Sequence, residues 1–527
     1  MPLNTNSPPS DKPARVQPVP APEAHVQTRW AGRRRPLAQN VEILAALALA
    51  AVYLATMSGH LQSIDGLLVY EQSRALTYDQ SFRFAAPVGW TGAETSVSKY
   101  GIGLSLTYVP GLVLWSWLKP YVPAGPTDFP HFYSDPLYTL AAAPVHILVT
   151  VLAAYVLAKF CYRLGFSRSI GLLALVLYGV ASPAVTYARG DFAQPLEGLC
   201  WILGLYSAFA YSQTRRAGWL IVCAGSVAMA VLTRLVESTM LIPAVTLVAT
   251  QSIWVWRWKR WQWVGATAVF LGTAVGVAGT LYVNYQRWGS MLKSGYEGEG
   301  WYTPLLEGLS GSLFSPVRGI LWQFPAVMVA PLGLYVLWSR GYRALSIATA
   351  FLALAQLLNV ATWSVWWGGW AWGLRLYVTA LPVIALLAVA GITALPRLVR
   401  PAFTVFAVAA GVLWAVPTLL IDLLSNYAET YDGTANAFRL DGHPAAAISR
   451  FLDHWYAETP VDRFAADILW IRTAGQTGSA SLIPMIALLV CALALAARVC
   501  VLQGYFTRWQ RISARRAVPS LVEGGEP

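Results

Sequence analysis

A carboxylate and an ammonium frame the first polar stretch of this chain. Asp65-Gly66 lies just past the first apolar segment, and Lys99-Tyr100-Gly101 opens the next one. Around them stand Glu71, Arg74, Asp79, Arg83 and Glu94. Ionisable groups cost several kcal/mol at membrane depth, roughly 3 on insertion scales, so a dense set beside a span points to a functional site. A carboxylate there can take a proton from a hydroxyl. A lysine there is a compact cation suited to a phosphate at the membrane surface. Plainer readings stand beside both. Asp65 could cap a helix over 64–76 lying at the membrane surface, with Ile64, Leu67, Leu68 and Ala75 on its apolar face and Glu71 interrupting it. Lys99 could merely snorkel, and the whole stretch could be a solvated connection.

Further along, Arg189-Gly190-Asp191 closes an apolar run and offers a second carboxylate, unless Arg189 and Asp191 simply pair at the surface. Arg234 and Glu237 break another run; they either pair at i, i+3 or leave Arg234 facing an anionic headgroup. The stretches Ser315-Pro316-Val317-Arg318-Gly319 and WSVWWGGWAWGLR, Trp363 to Arg375, each set an arginine beside glycines or aromatics. The tryptophans of the second, Trp367 and Trp370 among them, are denser than an interfacial belt requires and could stack on a sugar face. The sequence holds no phosphate-loop, zinc-protease, serine-hydrolase or dinucleotide fingerprint. Its scattered histidines signal no metal set, and a divalent cation is left open.

Such residues need elements to hold them, and the composition supplies helices in a membrane. The chain is 56% hydrophobic and 12% charged, with a mean hydropathy of +0.50. That is an all-α polytopic membrane protein. Its net charge of +12 does not imply nucleic acid, because the cations fall in short turns between apolar segments. A crossing takes about 20 residues. Spans are expected near 41–58, 137–158, 170–188, 193–212, 218–233, 238–256, 262–283, 320–338, 345–362, 376–395, 402–420 and 481–500, roughly 12 in all. The clusters Lys159/Arg163/Arg168, Arg215/Arg216, Arg257/Lys259/Arg260, Arg340/Arg343 and Arg397/Arg400 then share the cytoplasmic side with both termini. Counting 101–118 as a crossing would invert that pattern. It reads instead as a re-entrant or interfacial helix, weakened by Gly101, Gly103, Pro110 and Gly111. The cysteines lie in or beside apolar stretches and suggest neither disulfide nor zinc. The expected organisation is a disordered cytoplasmic tail over 1–40 and a transmembrane module over 41–395, whose external loop 59–136 carries the site. C-terminal spans follow over 396–500 with an external loop 421–480, then a cytoplasmic tail over 501–527.

With Asp65, Lys99-Tyr100-Gly101 and Asp191 followed by Pro195, the chain resembles the membrane-embedded GT-C glycosyltransferases. The likeness is to the bacterial branch related to protein O-mannosyltransferases and the lipid A aminoarabinose transferase. It covers roughly residues 41–260 and continues more weakly to about 395. The resemblance implies a GT-C bundle in the bacterial inner membrane, moving a sugar from a polyprenyl-phosphate donor to a lipid, glycan or protein acceptor outside the cytoplasm. It implies Asp65 as general base with Asp191 as a second catalytic carboxylate in the same cavity, and Lys99 on the donor phosphate helped by Arg234, Arg318 or Arg375. Glu71, Tyr100, Trp367 and Trp370 would line the site, and a net positive pocket would draw the anionic lipid. Asp65 is followed by Gly rather than a second acid, and Lys99 by Tyr-Gly rather than Pro-Pro, so the acceptor class is not implied. A lipid-linked-saccharide flippase would need charged or broken helices at the midplane, often in repeated halves; here the ionisable groups gather at external ends. A non-catalytic assembly subunit is the third reading, and intact Asp65, Lys99 and Asp191 speak against it.

Overall fold

Inside a bilayer no water is present to satisfy backbone N–H and C=O groups, so long apolar runs must coil into helices. The computed structural model describes residues 41–85, 95–121, 138–296, 298–369, 371–421, 423, 467–471 and 479–516. Glu94, Trp370, the 1–40 tail and most of 421–480 lie outside the described residues. The helices are α1 (Val41–Ala55), α2 (Ile64–Arg74), α3 (Ile102–Leu118), α4 (Ala143–Arg163), α5 (Arg168–Gly179), α6 (Ala184–Tyr187), α7 (Gln194–Thr214), α8 (Gly218–Thr233) and α9 (Leu235–Thr250). They continue as α10 (Arg260–Trp288), α11 (Leu305–Phe314), α12 (Ile320–Gln323), α13 (Ala330–Ser339), α14 (Arg343–Thr362), α15 (Leu381–Ala394), α16 (Val399–Leu420) and α17 (Leu482–Arg516). A two-residue antiparallel ladder pairs Phe84 with Ser96 and Ala85 with Thr95.

The protein is a multi-pass, all-α membrane bundle. Each expected span falls on helix, but among the described residues seven helices are long and apolar enough to cross a membrane, with six shorter apolar ones besides. The expectation near 170–188 divides into α5 and α6, and that near 320–338 into α12, a 3-10 turn and α13. The last helix does not stop near 500 but runs to Arg516; nothing in Gln503-Gly504 is enough to end it.

Three local features place the site. α15 is buried at every position from Leu381 to Ile392 and forms the centre of the bundle; a helix apolar all round belongs there. The 3-10 turn Arg375–Ala380 leads straight into it, so Arg375 stands on the most rigid post available. α3 is one continuous helix through Pro110. Its glycines do not break it: a Cβ on Gly101 or Gly103 would overlap Thr233, so both let the start of α3 press against the end of α8. That contact carries Lys99-Tyr100 to Arg234. α2 begins at Ser63, whose hydroxyl accepts the Gly66 N–H at 2.9 Å, an N-cap worth about 1 kcal/mol. Asp65 therefore is not the cap. Nor does Ile64 join the buried face; it is half exposed, while Leu67, Leu68 and Gln72 are buried.

Candidate active site

Asp65 sits in the first turn of α2, two residues past the cap. One carboxylate oxygen accepts the Tyr100 hydroxyl at 2.5 Å, the other an Arg375 N–H at 2.8 Å. Burial alone would raise its pKa; the Arg375 guanidinium and then the two hydrogen bonds outweigh that and hold it below the usual carboxylate range. The Tyr100 hydroxyl moves upward, through burial first and the adjacent Asp65 charge second, so it stays a donor.

Asp191 lies in the turn before α7 and is 1% exposed. It does not pair with Arg189, which is buried against Asp467. Its carboxylate accepts the N–H groups of Gln62 and Ser63 at 2.9 and 3.0 Å, and the Ser63 hydroxyl at 3.0 Å. It thus grips the N-terminus of α2, where negative charge also meets the helix dipole. Gly66 follows Asp65 for the same reason: a Cβ there would overlap the Asp191 carboxylate. Burial pushes the Asp191 pKa up to about 6 against the pull of those three hydrogen bonds.

Both carboxylates open onto a cavity of about 240 Å3, which Lys99, Tyr100, Gln194, Arg234, Tyr296, Glu299, Trp363 and Arg375 also line. Lys99 and Asp65 therefore share one hollow. A neighbouring lobe of about 400 Å3 shares the Lys99, Tyr100, Arg234, Tyr296, Glu299 and Trp363 wall. It adds Glu237, Asn284, Arg287, Trp301 and Asn359, with Val231, Leu235, Val236, Val360 and Leu376 as apolar lining. The cations are mostly paired. Lys99 meets Glu299 and stands 5.2 Å from the Tyr296 ring centre. Arg234 pairs with Glu237 at 2.9 Å, in the i, i+3 manner. Arg287 is 3% exposed; one of its nitrogens donates to the Tyr100 carbonyl at 2.7 Å. Its Nε and other terminal nitrogen have no partner among the described residues, and neither does Nε of Arg375.

The pocket is not net positive. Lys99, Arg234, Arg287 and Arg375 face Asp65, Asp191, Glu237 and Glu299, four charges of each sign among the described lining residues. Three expected site residues are turned to other work. Arg318 donates to the carbonyls of Ala371, Gly373 at 3.0 Å and Gly369 at 3.2 Å, and lines neither lobe. It pins the tryptophan loop from behind, because a buried guanidinium must find acceptors. Glu71 pairs with Arg74 at 3.1 Å along α2, and Trp367 packs edge-on against Trp366. Trp370 lies outside the described residues. Conversely Arg287, Tyr296, Glu299 and Gln194 line the cavity without having been singled out, and of the tryptophan stretch it is Trp363 that lines it. Arg287 carried one readable signal: a charge in the last turn of an apolar helix. Among the described residues no group of three or more His, Cys, Asp or Glu side chains is placed to hold a metal ion.

No protein-family model matches the chain, and no curated protein matches it in sequence. Among solved structures, ArnT from Cupriavidus metallidurans in the apo state is similar at 14% identity with a TM-score of 0.50, over 88% of this chain and 76% of that one. ArnT bound to undecaprenyl phosphate aligns at 17% identity and a TM-score of 0.48, over 92% and 81%. The apo oligosaccharyltransferase of Archaeoglobus fulgidus aligns at 11% and 0.46, over 83% and 61%. At such identities the likeness to apo ArnT is one of fold, and the chain has the GT-C fold.

Proposed function

We propose that this GT-C bundle is a glycosyltransferase of the bacterial inner membrane, moving one sugar from a polyprenyl-phosphate donor to an acceptor hydroxyl outside the cytoplasm. One observation carries the reading: Asp65 and Lys99 open onto a single hollow whose second lobe is apolar-walled and holds a buried, half-partnered arginine. A lipid phosphate needs that combination. Its phosphate rests against Lys99, Arg287 and Arg234, and its first isoprene units lie along Val231, Leu235, Val236 and Val360. The sugar then reaches past Trp363 toward Asp65.

The acceptor oxygen attacks the anomeric carbon as its proton passes to Asp65, and the bond from that carbon to the phosphate oxygen breaks. Polyprenyl phosphate leaves into cations already in place, which stabilises the developing charge without reorganisation. A positioned base contributes about 10² to 10⁴ in rate. Asp65 is a weak base while Arg375 holds it; the free Nε of Arg375 lets the incoming phosphate draw that guanidinium away and restore basicity. Glu299 holds Lys99 and leaves when phosphate arrives. Asp191 anchors α2 and keeps Asp65 aimed; Arg318 supports the tryptophan loop rather than the phosphate.

The test offers purified protein in lipid nanodiscs a panel of radiolabelled polyprenyl-phosphate sugars and a membrane extract. Label should move from one donor with wild-type protein and stay with Asp65→Asn. Equal transfer by both, or transfer from none of the panel, would sink the reading.

A further inference from the structure

The cavity is not the only place where buried charge gathers. Asp467, 405 residues from Gln62 in sequence, returns to the segment that carries Asp65. Its carboxylate accepts His60 Nε2 at 2.7 Å, Gln62 Nε2 at 2.9 Å and an Arg189 N–H at 3.3 Å. All four residues are buried. His60 Nδ1 lies 2.9 Å from the Leu61 carbonyl. Main-chain contacts fasten the same stretch. Asp467 N–H donates to the Leu420 carbonyl and Leu469 N–H to the Met57 carbonyl, both at 2.8 Å, while the Trp470 indole N–H reaches the Leu54 carbonyl at 2.9 Å.

From the opposite side Asp191 holds the backbone N–H groups of Gln62 and Ser63. Two carboxylates therefore clamp one short strap, Asp467 by the Gln62 side chain and Asp191 by its backbone. Ser63, at the end of the strap, caps α2, and Asp65 follows within the same turn. Just before the strap, Gly59 takes a left-handed φ of 73°, its carbonyl accepts the Thr139 hydroxyl, and the Ser58 hydroxyl donates to the Arg189 carbonyl at 3.1 Å.

We propose that Asp467 is a positioning residue for sugar transfer: through Gln62 it fixes the strap and hence the angle at which Asp65 enters the cavity. The inference rests on the transferase reading above. Lys99, Arg287 and Arg375 stand on other elements, so donor binding does not depend on the clamp. Asp467, far along the chain from Asp65, thereby supports the site.

Full-length Asp467→Asn and Gln62→Ala proteins in nanodiscs provide the test. The first replaces one carboxylate oxygen by an amide donor, which must face either the His60 or the Gln62 and Arg189 N–H groups; the second removes the Gln62 link alone and leaves Asp467 with Arg189 and His60. In both, kcat should fall about 10- to 100-fold with donor KM within about twofold of wild type, the signature of a misaimed group. Hydrogen exchange at the Gln62, Ser63 and Gly66 amides should quicken while exchange near Tyr100 and Arg375 holds, which reads the clamp without substrate. Unchanged exchange in both variants overturns the proposal. So does a loss of kcat joined by raised donor KM and a general rise in exchange, which marks a merely structural role, and so does faster strap exchange with unchanged kcat. Faster strap exchange in a protein whose wild type transfers no sugar leaves the clamp standing and defeats the transferase reading instead.

Discussion

Replacing Asp191 by asparagine separates anchoring from chemistry. The wild-type carboxyl titrates near 6, against an ordinary value of 3.8. That difference is about 2 units, or about 3 kcal/mol at 1.36 kcal/mol per unit. The folded protein holds this proton more tightly than the unfolded chain does. The contribution of Asp191 to stability is therefore largest below pH 3.8, falls as pH rises toward 6, and above that is fully lost. An asparagine does not titrate. It keeps an oxygen for the Gln62 and Ser63 N–H groups and gives up the Ser63 hydroxyl bond, a loss of about 1 kcal/mol. Asp191→Asn should be the less stable protein near pH 4, and should gain on wild type by about 3 kcal/mol on moving to about pH 7. Thermal unfolding in detergent at the two pH values measures the crossing. Parallel pH dependence in the two proteins would show that Asp191 is not the titrating group. In the transfer assay the variant should lose far less than Asp65→Asn; an equally complete loss would put Asp191 in the chemistry and refute the anchoring argument.

Asp65→Asn should lower transfer by about 10² to 10⁴ while the protein still inserts and binds donor, and an unchanged rate would remove it as the base. Glu299→Gln frees Lys99 and should lower donor KM several-fold, whereas Lys99→Ala should raise donor KM and leave acceptor KM alone; the reverse pattern in initial-rate kinetics would end the displacement scheme. Arg318→Met removes the guanidinium that donates to the Ala371, Gly373 and Gly369 carbonyls and should cost about 1 to 3 kcal/mol in unfolding experiments. A rise in donor KM with no loss of stability would return Arg318 to the phosphate.

The bundle was legible because its cause is local: an apolar run of sufficient length has no alternative to helix in lipid, and each expected span falls on one. Asp65, Lys99, Arg234 and Arg375 were legible as charges beside spans, and they do line one hollow. What failed was direction. Arg318 and Arg375 look alike in sequence, each beside glycines or tryptophans, yet one faces the cavity and the other faces the back of a loop. Glu71 shares α2 with Asp65 but points along the helix to Arg74. Periodicity assigns faces only to elements whose neighbours are known. Arg287, Tyr296 and Glu299 come about two hundred residues after Lys99, the first at the end of an apolar helix and the other two in the polar stretch beyond it, and only the packed bundle brings them together. The roles of Gly66, Gly101 and Gly103 were hidden for the same reason. Their significance is what a missing Cβ lets approach, and that neighbour is distant in sequence.

The pairing of Lys99 with Glu299, Arg234 with Glu237 and Arg375 with Asp65 means that, Arg287 apart, the cations of the pocket are already answered by carboxylates. Inorganic phosphate, or a water-soluble sugar nucleotide, would have to evict resident carboxylates using charge alone. A molecule that brings a greasy tail gains additional free energy from the apolar lobe and can afford the eviction. Selectivity for a membrane-borne substrate over its soluble look-alikes would then arise from a site that stays self-neutralised until the right guest presses in from the side.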